Sequence, residues 1–213
     1  MPEAATGFGL RVVDARRLEK PMRDALRPDA VLCDRQGRAR QLPRYFYEVP
    51  SWEAARETRI APHFHLWEFI HTDVREAPPL RTFPRYVPCA VTLLAACLEQ
   101  FRDAVGTYVH VAANGGYRSP RHRLTCHASP HAWGTAVNLY RVGDTFLDTR
   151  EAIERYAELA RAAIPGVWAR PYGHGPALAD DHLHLDLGYV VAVPHDVPGG
   201  GDTFNPKLDG EPW

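Results

Sequence analysis

A chain of 213 residues, 45% hydrophobic and 24% charged, is long enough to bury a core and is composed like a globular domain with extensions. Its formal net charge of −1 gives no electrostatic case for nucleic acid as a partner. No stretch approaches the roughly 20 apolar residues that span a bilayer, so no membrane insertion is expected. The N-terminus has neither a basic start nor an apolar run of signal-peptide length. The chain is therefore expected to be cytoplasmic as synthesised, with export only by a non-standard route.

Residues 1–60 read as an N-terminal extension or subdomain. Val12-Val13 and Val31-Leu32-Cys33 are short strand candidates. Asp34 to Arg38 has the composition of a hairpin turn returning through Arg40 to Tyr47. An aromatic-rich segment from Ala61 to Phe69 precedes the proline-rich stretch Ala77-Pro78-Pro79-Leu80, read as a linker. From Pro88 to Val105 the apolar residues Val91, Leu94, Ala95, Leu98, Phe101 and Val105 recur every three or four positions. That spacing predicts an amphipathic helix closed by Gly106. Tyr108 to Ala112 and Thr135 to Val142 read as strands, Thr149 to Ala163 as a helix stopped by Pro165-Gly166, and His182 to Val191 as a third strand. Residues 192–213, rich in Gly and Pro, lack periodicity and read as a tail. The order of elements predicts an α+β domain, a small antiparallel sheet packed with helices, over residues 61–191.

Four cysteines without a C-x-x-C pair read as reduced thiols, with Cys89 and Cys97 in apolar helical positions. The eleven histidines fall mostly between His63 and His184, which favours a metal or acid–base site. The clearest pattern is His182-Leu183-His184-Leu185-Asp186-Leu187. Side chains two apart in a strand share a face, so the leucines point to the core and His182, His184 and Asp186 line the other side. Neutral imidazole is a good zinc ligand near pH 7. In the second strand Asn138 shares a face with Ala136 and Tyr140. An amide in an otherwise core-like strand asks for a partner: backbone groups or a metal. His63 and His65 read as surface or packing residues. Trp133, Trp168 and Tyr172 are candidates for lining a cleft, with core packing as the default.

Gly116-Tyr117-Arg118-Ser119-Pro120, then Ser129-x-His131-x-x-Gly134-x-Ala136-x-Asn138, then Asp181-x-x-His184, resembles the zinc D-Ala-D-Ala peptidase family, whose members share the hedgehog/DD-peptidase fold. Phe64 to Phe69 is similar to an entry segment found in one branch of it. The resemblance implies zinc as cofactor, held by His131, His184 and a third ligand at position 138. It implies Asp181 as the general base that activates water, Arg118 as the group that binds the substrate carbonyl or carboxylate, and His182 as a further donor beside the reacting carbonyl. The implied substrate is a D-Ala-containing peptide or peptidoglycan fragment, cut in carboxypeptidase or endopeptidase fashion. Asp186 is then a second partner that orients a ligand histidine.

One position departs from the pattern. The family carries Asp where this chain has Asn138, which removes a negative charge from the ligand set and weakens its hold on zinc. The nearest substitute donor, His127, is disfavoured because Pro130 opposes the helix that would place it beside His131. Two expectations follow: a zinc-dependent hydrolase that tolerates Asn138, or a metal-poor, non-catalytic binding module on the same fold.

Overall fold

The computed structural model describes residues 9–81, 83, 85–125, 127–174 and 180–194. The tail expected over residues 192–213 therefore lies almost wholly outside the described residues, as does Cys126.

Strands β1 (Arg11–Asp14), β2 (Val31–Cys33), β3 (Ala39–Gln41) and β4 (Tyr45–Glu48) precede β5 (Arg59–Ala61), β6 (Phe64–His65) and β7 (Tyr86–Pro88). Helices α1 (Lys20–Leu26), α2 (Trp52–Glu57) and α3 (Leu66–Ile70) are interspersed among them. The second half contains α4 (Val91–Val105), β8 (Val109–Val111), β9 (Ala136–Val142), β10 (Thr145–Phe146), α5 (Arg150–Ala163), β11 (Trp168–Ala169) and β12 (Leu183–Asp186). The architecture is α+β, with every described strand pair antiparallel. In place of one small sheet there are a three-stranded sheet β1-β4-β7, a five-stranded sheet centred on β9, and the hairpins β2-β3 and β5-β6.

Residues on both sides of position 60 contribute to one core. Strand β7 pairs with β4, and one buried cluster runs from Leu10 and Val12 through Phe69 and Leu98 to Leu183 and Leu185. The proline-rich stretch is not a free linker. Pro78–Leu80 forms a single 3-10 turn whose Leu80 is fully buried, because a turn preset by proline can deliver an apolar side chain inward.

Helix α4 buries the stripe read from its spacing: Val91, Leu94, Ala95, Leu98 and Phe101. It ends at Gly106 in the left-handed conformation. Thr149 caps α5 by accepting a hydrogen bond from Ala152 N at 3.2 Å. The hairpin read around Asp34 to Arg38 exists as β2-β3, but it stops at Gln41, and Tyr45 onward joins a different sheet. Strand β12 is also shorter than expected. Asp186 turns its carboxylate to accept from Gly188 N at 2.8 Å, and Gly188 takes φ +77°, which ends the extended run.

Candidate functional site

The site is assembled by the β9–β12 pair and two loops that feed it. The register sets His184 opposite Asn138 and Leu183 opposite Leu139. Leu183 and Leu185 are fully buried, while Asp186, His184 and His182 take the opposite face as alternation requires.

The first loop, Asn114 to Ser119, is threaded between the end of α3 and the start of β9. Tyr117 N donates to Phe69 O at 2.6 Å, Asn114 N to His71 O at 2.8 Å, and Asn138 N to Gly115 O at 2.8 Å. A Cβ at Gly116 would land on the Phe69 carbonyl, and one at Gly115 would sit 2.6 Å from Ala112 O and 2.8 Å from Asn138 O. Both glycines are required by this close approach of backbones. The second loop carries His131 on a 3-10 turn, Pro130–Trp133, closed by Gly134 at φ +70°. The N-terminal hairpin braces that turn. Ala128 N donates to Cys33 O, Trp133 Nε1 donates to Gln41 O, and Leu42, Ala128, Ala132 and Trp133 form a separate apolar cluster. Trp133 is thus a core residue and lines no cleft.

Three histidines converge here, and the groups beside each ring favour one tautomer. His131 is 3% exposed, and its Nδ1 lies 2.7 Å from Gly116 O, an acceptor only. Nδ1 therefore carries the proton, and among the described residues Nε2 makes no hydrogen bond. His184 has an oxygen at each nitrogen, Asp186 Oδ2 3.1 Å from Nε2 and Asn138 Oδ1 2.9 Å from Nδ1. The carboxylate is the stronger acceptor, which favours the proton of the neutral ring on Nε2 and leaves the Nδ1 lone pair facing the Asn138 oxygen. His182 has the opposite arrangement. Its Nε2 faces Arg170 Nη2 at 3.3 Å, and its Nδ1–H donates to Asp181 Oδ1 at 2.6 Å.

Burial pushes all three imidazoles below their ordinary pKa, aided at His131 by the Arg118 guanidinium and at His184 by those of Arg170 and Arg118. Asp186 at His184 and Asp181 at His182 pull the other way without reversing the shift. Arg118 donates from Nε to Asn114 O at 2.8 Å, and burial first, then Arg75, lower its pKa to about 10. It remains cationic near neutral pH.

The rings of His131 and His184 are 5.1 Å apart, centre to centre. Two imidazoles sharing one tetrahedral zinc, each bound through nitrogen at about 2.0–2.1 Å, have ring centres roughly 5 Å apart. His131 Nε2 and His184 Nδ1 are the two lone pairs, and each ring's other nitrogen is held by a carbonyl or a carboxylate, as metal-binding histidines require. The third donor is the neutral amide of Asn138, itself 7% exposed. Among the described residues no cluster of three His, Cys, Asp or Glu is arranged to hold a metal ion. The donors offered are two nitrogens and one uncharged oxygen.

Of the residues singled out from sequence, His131, Asn138, His184 and His182 share this site. Asp181 stands at its rim, with its side chain 72% exposed and bonded to His182. Asp186 occupies the orienting position expected of it. His63 and His65 lie elsewhere and are structural. Glu99 accepts from the His63 backbone and pairs with its ring, and His65 caps α3. His127 is exposed. Two participants escape sequence reasoning. Arg170, 8% exposed, follows the two-residue strand β11. Glu76 is buried beneath the first loop, where it accepts from Ser119 N at 3.0 Å, Ser119 Oγ at 2.5 Å and Ala77 N at 2.7 Å. Neither position carries a periodic signal.

No family model, curated protein or solved structure matches the chain. No helix among the described residues is long and apolar enough to cross a membrane.

Proposed function

We propose that the chain is a zinc-dependent hydrolase of peptide bonds in D-Ala-containing cell-wall peptides, built on the hedgehog/DD-peptidase fold. The observation that carries this reading is the pair of lone pairs at His131 Nε2 and His184 Nδ1, on rings 5.1 Å apart and each oriented from behind. His131, His184 and Asn138 would hold the ion, and zinc bound there supplies Lewis acidity and lowers the pKa of water. Asp181, solvent-facing and oriented by His182 Nδ1–H, is the proton acceptor of this proposal. Arg118, anchored at Nε to Asn114 O, keeps Nη1 and Nη2 to bind the substrate carbonyl or carboxylate. Both nitrogens of His182 are committed to Arg170 and Asp181, so the ring serves Asp181 and not the substrate carbonyl.

A second reading has its own support. Asn138 Oδ1 lies 2.9 Å from His184 Nδ1 and Asp186 Oδ2 lies 3.1 Å from Nε2, so both ring nitrogens are already engaged within the protein, by an amide and a carboxylate. That favours a metal-poor binding module on the same fold. Zinc content after reconstitution and dialysis separates the two readings. About one ion per chain, lost in His184→Ala and kept in Asp181→Ala with hydrolysis of D-Ala-D-Ala peptides abolished, supports the hydrolase. A content near zero overturns it in favour of the binding module.

A further inference from the structure

Arg170 reaches the site from outside every motif that marks it. Its backbone N–H donates to His184 O at 3.0 Å, which fixes the residue against β12. Its side chain lies along the His182 edge, with Nη2 3.3 Å from Nε2. A guanidinium has five N–H donors and no acceptor, so this contact exists only when His182 Nε2 bears a lone pair. The proton of the neutral ring must then sit on Nδ1, where it meets Asp181 Oδ1 at 2.6 Å. The direction of donation is uniform from Arg170 through His182 to Asp181. Asp181 is 72% exposed on its side chain, and this is the one side-chain hydrogen bond recorded for it among the described residues.

We infer that Arg170 is a positioning residue: its donation to Nε2 selects the Nδ1–H tautomer of His182, and that N–H holds the Asp181 carboxylate at the rim of the site. The role Asp181 plays there rests on the hydrolase reading, but the tautomer selection does not.

The test is made on metal-free, full-length protein by long-range proton–nitrogen NMR of the imidazoles, with the His182 signals assigned by their loss in His182→Gln. His182 in the unaltered chain is expected as Nδ1–H. Arg170→Met, which keeps an apolar stem without a donor, is expected to move the ring to Nε2–H or to a mixture of tautomers. Arg170→Lys, which restores a donor, is expected to return it toward Nδ1–H. Backbone amide spectra of each variant check that β12 is retained. His182 found as Nε2–H in the unaltered chain overturns the inference, as does an unchanged Nδ1–H in a folded Arg170→Met. If Arg170→Met loses β12, Arg170→Lys decides: folded with Nδ1–H supports the inference, and folded with Nε2–H overturns it. None of these readouts requires zinc or hydrolysis, so failure of the hydrolase reading leaves a distinct result.

Discussion

His184 and Asn138 face each other across the β9–β12 pair, with Nδ1 2.9 Å from Oδ1, and Asp186 grips the far side of the same imidazole at 3.1 Å. With the proton of the neutral ring drawn to Nε2 by Asp186, the Nδ1 lone pair faces the Asn138 carbonyl oxygen, and under the proposed hydrolase reading a metal ion would lie between the two. Position 138 thus sets the charge of the oxygen that would share the ion with His184.

Asn138→Asp is expected to raise zinc affinity by about a hundredfold or more, since a carboxylate adds an ion–ion attraction that the neutral amide lacks. Titration calorimetry with zinc chloride on both proteins measures it. Equal affinities for Asn138→Asp and the unaltered chain would show that position 138 does not touch the ion.

Gly116→Ala is expected to destabilise the fold by about 1–3 kcal/mol, because the added methyl meets the Phe69 carbonyl, which is backbone and cannot swing aside. The same residue's carbonyl accepts from His131 Nδ1, so the displacement reaches the site. Urea melts report the loss of stability, and zinc affinity is expected to fall with it. An unchanged melt would show that the loop accommodates a Cβ without strain.

Glu76→Ala leaves the buried Ser119 N–H and Oγ without their acceptor, at about 1–3 kcal/mol for each buried group left unsatisfied. Glu76→Gln retains an oxygen acceptor and is expected to recover part of that loss. Thermal denaturation of the two variants measures the difference, and equal melting temperatures would count against Glu76 as the anchor of the Arg118 loop.

How far these features can be read from sequence depends on whether their signal is local. The His182–Asp186 alternation, the α4 stripe and the Gly106 stop are local, and each appears in the structure where periodicity puts it. The pairing of His184 with Asn138 follows once two strands are aligned on their polar faces. Arg170 and Glu76 offer no such handle. Arg170 follows a strand too short for alternation, and Glu76 sits before a Pro-Pro pair that resembles a linker. The end of β12 depends on an Asp186 carboxylate turning back to Gly188, a competition between side chain and ladder that apolar patterning does not encode.

Asp34 provides a pH test at a distance from any ligand. Burial pushes its carboxyl pKa up, but donation from Arg38 N, the Arg38 and Arg40 side chains and Gln36 N outweighs burial and holds it at about 2, against an ordinary value of 3.8. A folded pKa below the unfolded one means the ionised form stabilises the fold. That contribution is complete above pH 3.8 and is lost as pH falls toward 2. Asp34 closes the β2-β3 hairpin, and that hairpin braces the turn bearing His131 through Gln41 O and Leu42. Asp34→Asn is therefore expected to be less stable than the unaltered chain at neutral pH and to lose less stability between pH 4 and pH 2. Urea denaturation across that window measures both slopes, and parallel acid losses in the two proteins would remove Asp34 from the set of groups that link hairpin, turn and site.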